Sequence, residues 1–283
     1  MKAELVSIDT DGVFHGEGGF WDSRAERIRF VDLLRGDIMT WERESLSRHH
    51  VSDVAAVIRS RRQGGHVIAT ERGFALVDDD FSPVQEIAVF DATDVRMNEG
   101  GCDASGRFFC GSMAYDGRAG GGRLYRLDPD LSLHVALESV TIPNGLVWDA
   151  AGTTAFHADT AEGRIWAYEY DPTSGAFGER RSFVAFDGDQ GMPDGVSIDT
   201  EDGLWVAMWG GGAVRRYDVG GALDAVVEVP AVNVTSCAFG GPESRTLYIT
   251  TSRQHLETPE QHAGGLFAVD PGATGAVVHE FAG

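Results

Sequence analysis

The sequence predicts an all-β protein, a six-bladed β-propeller, on three observations: one two-strand unit recurs six times, a third β-like run precedes most of these units, and helical spacing of apolar residues is essentially absent. The unit opens on a Gly, continues with alternating apolar residues and ends in a polar turn. It reads GDIMTWERES from Gly36, GFALVDDDFS from Gly73, GRLYRLDPDLS from Gly122, GRIWAYEYDPTSG from Gly163, GAVRRYDVGG from Gly212 and GGLFAVDPGATG from Gly264. Ahead of each stands a second run, respectively RIRFVD, HVIATE, RFFCGSM, TTAFHAD, GLWVAMW and TLYITTS. Val, Ile, Phe, Tyr, Trp and Thr dominate these runs and Gly, Asp, Pro and Ser fill the intervals, which is the chemistry of strands joined by tight turns.

The third run is EGGFWDS from Glu17, EGGCDASG from Glu99, NGLVWDAAG from Asn144 and DGVSIDTEDG from Asp194, with weaker counterparts at DVAAVIRSRRQGG and NVTSCAFGG. Three strands and a more variable fourth make a blade, and six blades use the whole length, so residues 1–283 are expected to form one domain. A β-sandwich or two small β domains would not generate six comparable units. Ring closure needs the last blade to take a strand from the other end of the chain. AELVSID, residues 3–9, is the expected donor, and GAVVHEF near the C-terminus is its rival.

Composition narrows the function. With 42% apolar and 24% charged residues the chain has ample material for a core. A net charge of −21 opposes binding to nucleic acid or to anionic membranes, because either needs clustered Lys and Arg. The densest basic stretch, Arg59, Arg61 and Arg62, reads as a solvated turn. Cys102, Cys110 and Cys237 are an odd number without C-x-x-C spacing and read as buried free thiols. The N-terminal MKAELVSIDTDG has no signal-peptide core, and no run reaches the ~18 apolar residues of a membrane span, so a cytoplasmic location is expected.

The Gly-flanked polar residues that open the third run carry the chemistry: Glu17, Asn98 with Glu99, Asn144 and Asp194. Innermost propeller strands start around a central channel, so residues dozens of positions apart in sequence are expected to meet there. Carboxylates and amides offer only oxygen, which suits a hard divalent cation, Ca²⁺ or Mg²⁺, and tolerates Mn²⁺, Fe²⁺ or Zn²⁺. The flanking glycines are expected to let the backbone turn and a ligand approach. Singly, each Asn-Gly or Asp-Gly is an ordinary turn signal. Repetition at one position in four repeats is what turns them into a site. No Gly-x-Ser-x-Gly elbow and no His-Glu-x-x-His occurs, and the Gly-rich stretches lack a P-loop Lys. His157 and the strand tryptophans read as packing residues, Asp159 as the cap of a strand-end turn, and Asp199 as a turn residue at the far end of the Asp194 strand.

These stretches resemble the senescence-marker protein/gluconolactonase/regucalcin-like family of six-bladed propellers. The resemblance rests on HGEGGFWD, VRMNEGGCDASGRFFCGSM, IPNGLVWD and MPDGVSIDTEDGLWVA, four ordered motifs spread over nearly the whole chain, with VPAVNVTSCAFGGPESRTLYITTS similar to the closing blade. Position by position it implies metal ligands Glu17, Asn144 and Asp194, with Asp194 also the general base, and substrate contacts from Arg96 and Asn98. In calcium-holding relatives the Asn98 equivalent also touches the ion. Glu99, which stands where the family usually has Asp, and Asp116, near the position of a substrate-binding Glu without a clear match, are also expected to contact substrate, and Gly19 stands where the family usually has Pro. The implied activity is metal-assisted hydrolysis of a small lactone. The alternatives are a propeller phosphotriesterase-like hydrolase, a calcium-binding regulatory protein without turnover, and a scaffold propeller binding other proteins.

Overall fold

The β-branched and aromatic runs form strands where their alternation predicts them. The computed structural model describes residues 1–8 and 12–283, and among the described residues all regular structure is β apart from two short 3₁₀ turns, Leu33–Arg35 and Pro242–Ser244. After β1 (Glu4–Ser7), blade 1 is β2 (Gly16–Asp22), β3 (Arg27–Asp32), β4 (Asp37–Glu42) and β5 (Ser45–His50). Blade 2 is β6 (Ala55–Ser60), β7 (His66–Thr70), β8 (Gly73–Val77) and β9 (Pro83–Ala88). Blade 3 is β10 (Val95–Cys102), β11 (Phe108–Ala114), β12 (Gly122–Leu127) and β13 (Leu133–Val140). Blade 4 is β14 (Pro143–Trp148), β15 (Thr154–Asp159), β16 (Arg164–Asp171) and β17 (Ala176–Ala185). Blade 5 is β18 (Met192–Ile198), β19 (Leu204–Trp209), β20 (Ala213–Tyr217) and β21 (Leu223–Glu228), and blade 6 is β22 (Val234–Gly240), β23 (Thr246–Thr251), β24 (Leu266–Val269) and the returning β1.

The ring closes as the N-terminal run predicts: β1 pairs antiparallel with β24, Glu4 opposite Ala268 and Leu5 opposite Phe267. Asp9, the last residue of that run, lies outside the described residues. The rival, GAVVHEF, forms no strand. It crosses one end of the ring instead, Ala276 N donating to Ile198 O in blade 5 and Phe281 N to Ser60 O in blade 2.

Apolar residues of one blade pack on those of the next, so the core is a ring of clusters rather than one centre. Phe20, Val31 and Ile38 of blade 1 meet Ile58, Ile68 and Val77 of blade 2, and Phe109 and Leu124 of blade 3 meet Trp148 and Tyr170 of blade 4. The three cysteines are buried and free, as expected. Asp159 caps its neighbouring turn, accepting from Thr141 N and Ile142 N.

Two expectations change. Asp199 does sit in the turn after β18, yet it is only 1% exposed and accepts from Glu201 N, Gly203 N, Trp205 Nε1 and Arg216 Nε. It is a structural anchor, because a carboxylate is the only side chain with enough lone pairs for four donors. Arg59 is not in a solvated turn: it lies on β6 and its guanidinium donates to Gly18 O, Ile58 O and Gly100 O. Arg61 and Arg62 hold neighbouring backbone, donating to Gly283 O and Ala104 O. No helix among the described residues is long and apolar enough to cross a membrane.

Candidate active site and metal centre

The innermost strand of every blade loses register with its neighbour at the same height. The breaks fall between Glu17 and Phe20, Ala55 and Val57, Met97 and Gly100, Pro143 and Leu146, Pro193 and Val196, and Val234 and Ser236. A β-bulge inserts residues that the partner strand does not match and re-aims their side chains. In three blades the unmatched residues include Asn98 with Glu99, Asn144 and Asp194, and in blade 1 Glu17, opposite Val31, is the last matched residue before the break. The site is therefore built by one irregularity repeated around the ring.

The glycines that follow have a different purpose from the one expected. A Cβ on Gly145 would stand 2.3 Å from Val196 N, and one on Gly195 would stand 2.8 Å from Ser236 Cα. Adjacent inner strands touch there, and only glycine lets them. Gly19 stands where the resembling family usually has Pro, and its N–H donates to Ser236 Oγ at 3.1 Å, a bond Pro could not make.

The structure brings Glu17, Glu99 and Asp194 together: one oxygen from each lies within 4.8 Å of the other two, and all three side chains are buried. Glu99, expected to face substrate, is thus the third carboxylate of the cluster. Burial and mutual repulsion push the carboxyls up. Glu99 is raised to about 7 chiefly by burial, with Arg59 opposing, while burial and then the neighbouring carboxylates hold Glu17 and Asp194 well above the usual range. Glu99 Oε2 and Asp194 Oδ1 are buried without a hydrogen-bond partner. Buried carboxylates normally find partners, and three oxygen donors with orphaned atoms at one point are what a hard divalent cation requires. The residues fit such an ion.

Asn144 joins the cluster through a chain of hydrogen bonds. Arg96 Nη1 donates to Asn98 Oδ1 at 2.7 Å, and Asn98 Nδ2 donates to Asn144 Oδ1 at 3.1 Å and to Pro143 O at 2.8 Å. Asn144 Nδ2 donates to Thr160 Oγ1 at 2.7 Å, and Thr160 Oγ1 donates to Pro193 O at 2.7 Å, next to Asp194. The amide nitrogen of Asn144 is thus committed to Thr160, and its oxygen faces Asn98. Thr160 fastens the Asn144 and Asp194 segments to each other across two blades.

Arg96 is buried, its Nη1 also donating to Met97 O at 2.9 Å, with Nε and Nη2 unused among the described residues and its guanidinium 6.0 Å from the Tyr115 ring centre. Asp116 stands apart: it is exposed and bound to Arg118, which also grips Asp94. Three residues near the cluster escape the sequence reading. His15 Nε2 lies 3.9 Å from Glu17 Oε1 and its Nδ1 pairs with Ser252 Oγ at 2.8 Å. Burial, then Arg96 and His255, lower its pKa to about 3, so it stays neutral beside the carboxylates. Trp209 meets the His15 ring edge-on at 5.9 Å and His255 at 6.3 Å. His15 sits inside the HGEGG motif, the one signal that could have found it; Trp209, Thr160 and His255 carry no such signal.

A six-bladed ring with a buried acidic cluster at the starts of its inner strands defines a propeller of the lactonase and regucalcin class. The chain belongs to the SMP-30/Gluconolactonase/LRE-like family, whose pattern matches residues 15–253. It is 33% identical to regucalcin of Danio rerio over 259 residues, covering 89% of this chain and 87% of that one. It is 33% identical to the pentonolactonase XacC of Haloferax volcanii, covering 92% of each. A calcium-binding protein named regucalcin from Agrobacterium tumefaciens has the same fold, with a TM-score of 0.90, 24% identity and coverage of 99% and 97% of the two chains.

Proposed function

We propose that the chain is a divalent-metal-dependent lactonase that opens a sugar lactone at this cluster. The observation that carries the reading is the buried, oxygen-only set of Glu17, Glu99 and Asp194 with two unpartnered oxygens. Relatives named as lactonases support the same chemistry. Glu17, Asn144 and Asp194 hold the cation, with Glu99 as a further carboxylate and Asn98 beside them. When bound, a divalent cation supplies Lewis acidity to an ester carbonyl and offsets the negative charge that develops on its oxygen.

The side chains do the rest. Arg96, with one nitrogen fixed by Asn98 and its other donors open, orients the oxygens of the lactone. Asp194 takes the proton of the attacking water on its unpartnered Oδ1. The water oxygen bonds to the carbonyl carbon, the acyl–oxygen bond of the ring breaks, the proton held by Asp194 passes to the departing ring oxygen to make a hydroxyl, and the carboxylic acid formed releases its remaining proton to solvent to give an open-chain carboxylate. Glu99, whose Oε2 is equally unpartnered, is the second candidate base.

Hydrolysis of a panel of aldonolactones, with and without chelator and with paraoxon for comparison, tests the reading. Chelator-sensitive lactone turnover well above that of paraoxon is expected. Metal binding without turnover would point to a regulatory protein, and faster paraoxon cleavage to a phosphotriesterase.

A further inference from the structure

A cavity of about 450 Å³ lies in the channel, and it is not where the proposed reaction takes place. Glu99 borders it, but Glu17, Asn144, Asp194, Arg96 and Asn98 do not. Its walls come from residues farther along the same inner strands, Phe20, Leu146, Val196, Ile198 and Phe239, so it occupies the opposite half of the channel. The floor is the C-terminal stretch Ala276–His279, hung between blade 5 and blade 2. That stretch is not needed to close the ring, since β1 does so. Ala276–His279 instead lie across this end of the channel.

Arg59 lines this chamber. Its guanidinium lies 5.6 Å from the Phe20 ring centre and donates only to the carbonyls of Gly18, Ile58 and Gly100. Among the described residues no carboxylate comes within ion-pair distance of it, and Nε and one Nη2 hydrogen are unused. Glu99 is felt only at longer range. An enclosed guanidinium without a counter-ion, facing an apolar space of ligand size, is an arrangement that an anion completes.

We infer that this lower chamber is a second binding site, for a monocarboxylate with a compact apolar body, its head on Arg59 and its body among Phe20, Leu146, Val196, Ile198 and Phe239. One charged head suits the chamber, because Glu99, which shares the wall with Arg59, repels a second anion. A polyhydroxylated acid, the product of the proposed reaction, would set hydroxyls against the apolar side chains of Phe20, Leu146, Val196, Ile198 and Phe239. The site is therefore distinct in ligand class from the cluster above it.

Titration of octanoate and of benzoate into the full chain by calorimetry tests this, with a sugar aldonate as competitor. Saturable binding of one equivalent is expected for at least one of the two acids, undisturbed by the aldonate and retained in Arg96→Gln. Arg59→Gln should weaken it about 10- to 100-fold, the effect of removing a charged hydrogen-bond partner, and Arg59→Lys should restore part of it. Thermal melts of each variant establish that it is folded. If Arg59→Gln does not fold, ¹³C-carboxylate shifts of octanoate bound to the wild-type chain and to Arg59→Lys replace it, and unequal shifts are expected. The proposal is overturned if neither acid binds saturably to the wild-type chain, if Arg59→Gln binds as well as wild type, if the two shifts coincide, or if the aldonate displaces the acid. None of these outcomes bears on lactone turnover, which is measured separately.

Discussion

Thr160→Val is the sharpest test of how the cluster is held. The substitution keeps the branched shape and removes one hydroxyl, which accepts from Asn144 Nδ2 and donates to Pro193 O, both at 2.7 Å. Asn144 then loses the bond that fixes the orientation of its amide, and the peptide before Asp194 loses its tie to blade 4. Partners that orient a metal ligand are worth about 10- to 100-fold in affinity, or about 1.4 to 2.7 kcal/mol. Calorimetric titration of Mn²⁺ or Ca²⁺ into metal-stripped wild type, Thr160→Val and Thr160→Ser measures it directly. The expected order is wild type close to Thr160→Ser, with Thr160→Val weaker by that factor while its metal-free melting temperature shifts much less than its affinity implies. Equal affinities for Thr160→Val and wild type would refute the reasoning.

Asp194→Asn keeps the shape and one ligating oxygen but loses the proton acceptor, so under saturating metal its turnover should fall about 10²- to 10⁴-fold; full recovery with excess metal would make Asp194 a ligand only and move the base to Glu99. Arg96→Ala should raise KM and lower turnover strongly while weakening metal binding only a few-fold, since Arg96 reaches the ligands indirectly through Asn98; equal losses in calorimetry and kinetics would make it a support of the cage. Asp199→Asn should leave KM unchanged but destabilise the fold by about 3 kcal/mol, roughly 5 °C in melting temperature, because an amide cannot serve both Trp205 Nε1 and Arg216 Nε as the carboxylate does.

The blades were legible because each strand announces itself by composition and because the repeat sets them in order; the inner-strand polar residues were legible because the same position is polar in four repeats. What lay beyond reading depended on three-dimensional closeness. The glycine after Asn144 looks like a turn residue, and only the approach of Val196 reveals its packing role. Asp199 looked dispensable because its four donors come from a turn, a tryptophan and an arginine, the last of them 17 positions away. Arg59 shares a basic stretch with Arg61 and Arg62, yet it points into the channel while they hold backbone elsewhere, a difference set by its position on β6. Asp116 was near the right place in the sequence, but its turn carries it out to Arg118.

The central claim is that one divalent cation at Glu17, Glu99 and Asp194 makes the chain a lactonase. The most direct measurement titrates metal into the stripped chain in two parallel samples, one without lactone to record proton release and one with lactone to record hydrolysis. Because the metal-free carboxyls are raised, with Glu99 at about 7, they hold protons near neutrality that a cation must displace. Turnover should rise with occupancy to a plateau at one equivalent. Proton release should be largest at pH 6 and diminish as the pH rises through and above 7, where Glu99 is already ionised, and metal affinity should weaken as the pH falls. Turnover that is independent of added metal, or a plateau reached without proton release at pH 6, would contradict the account.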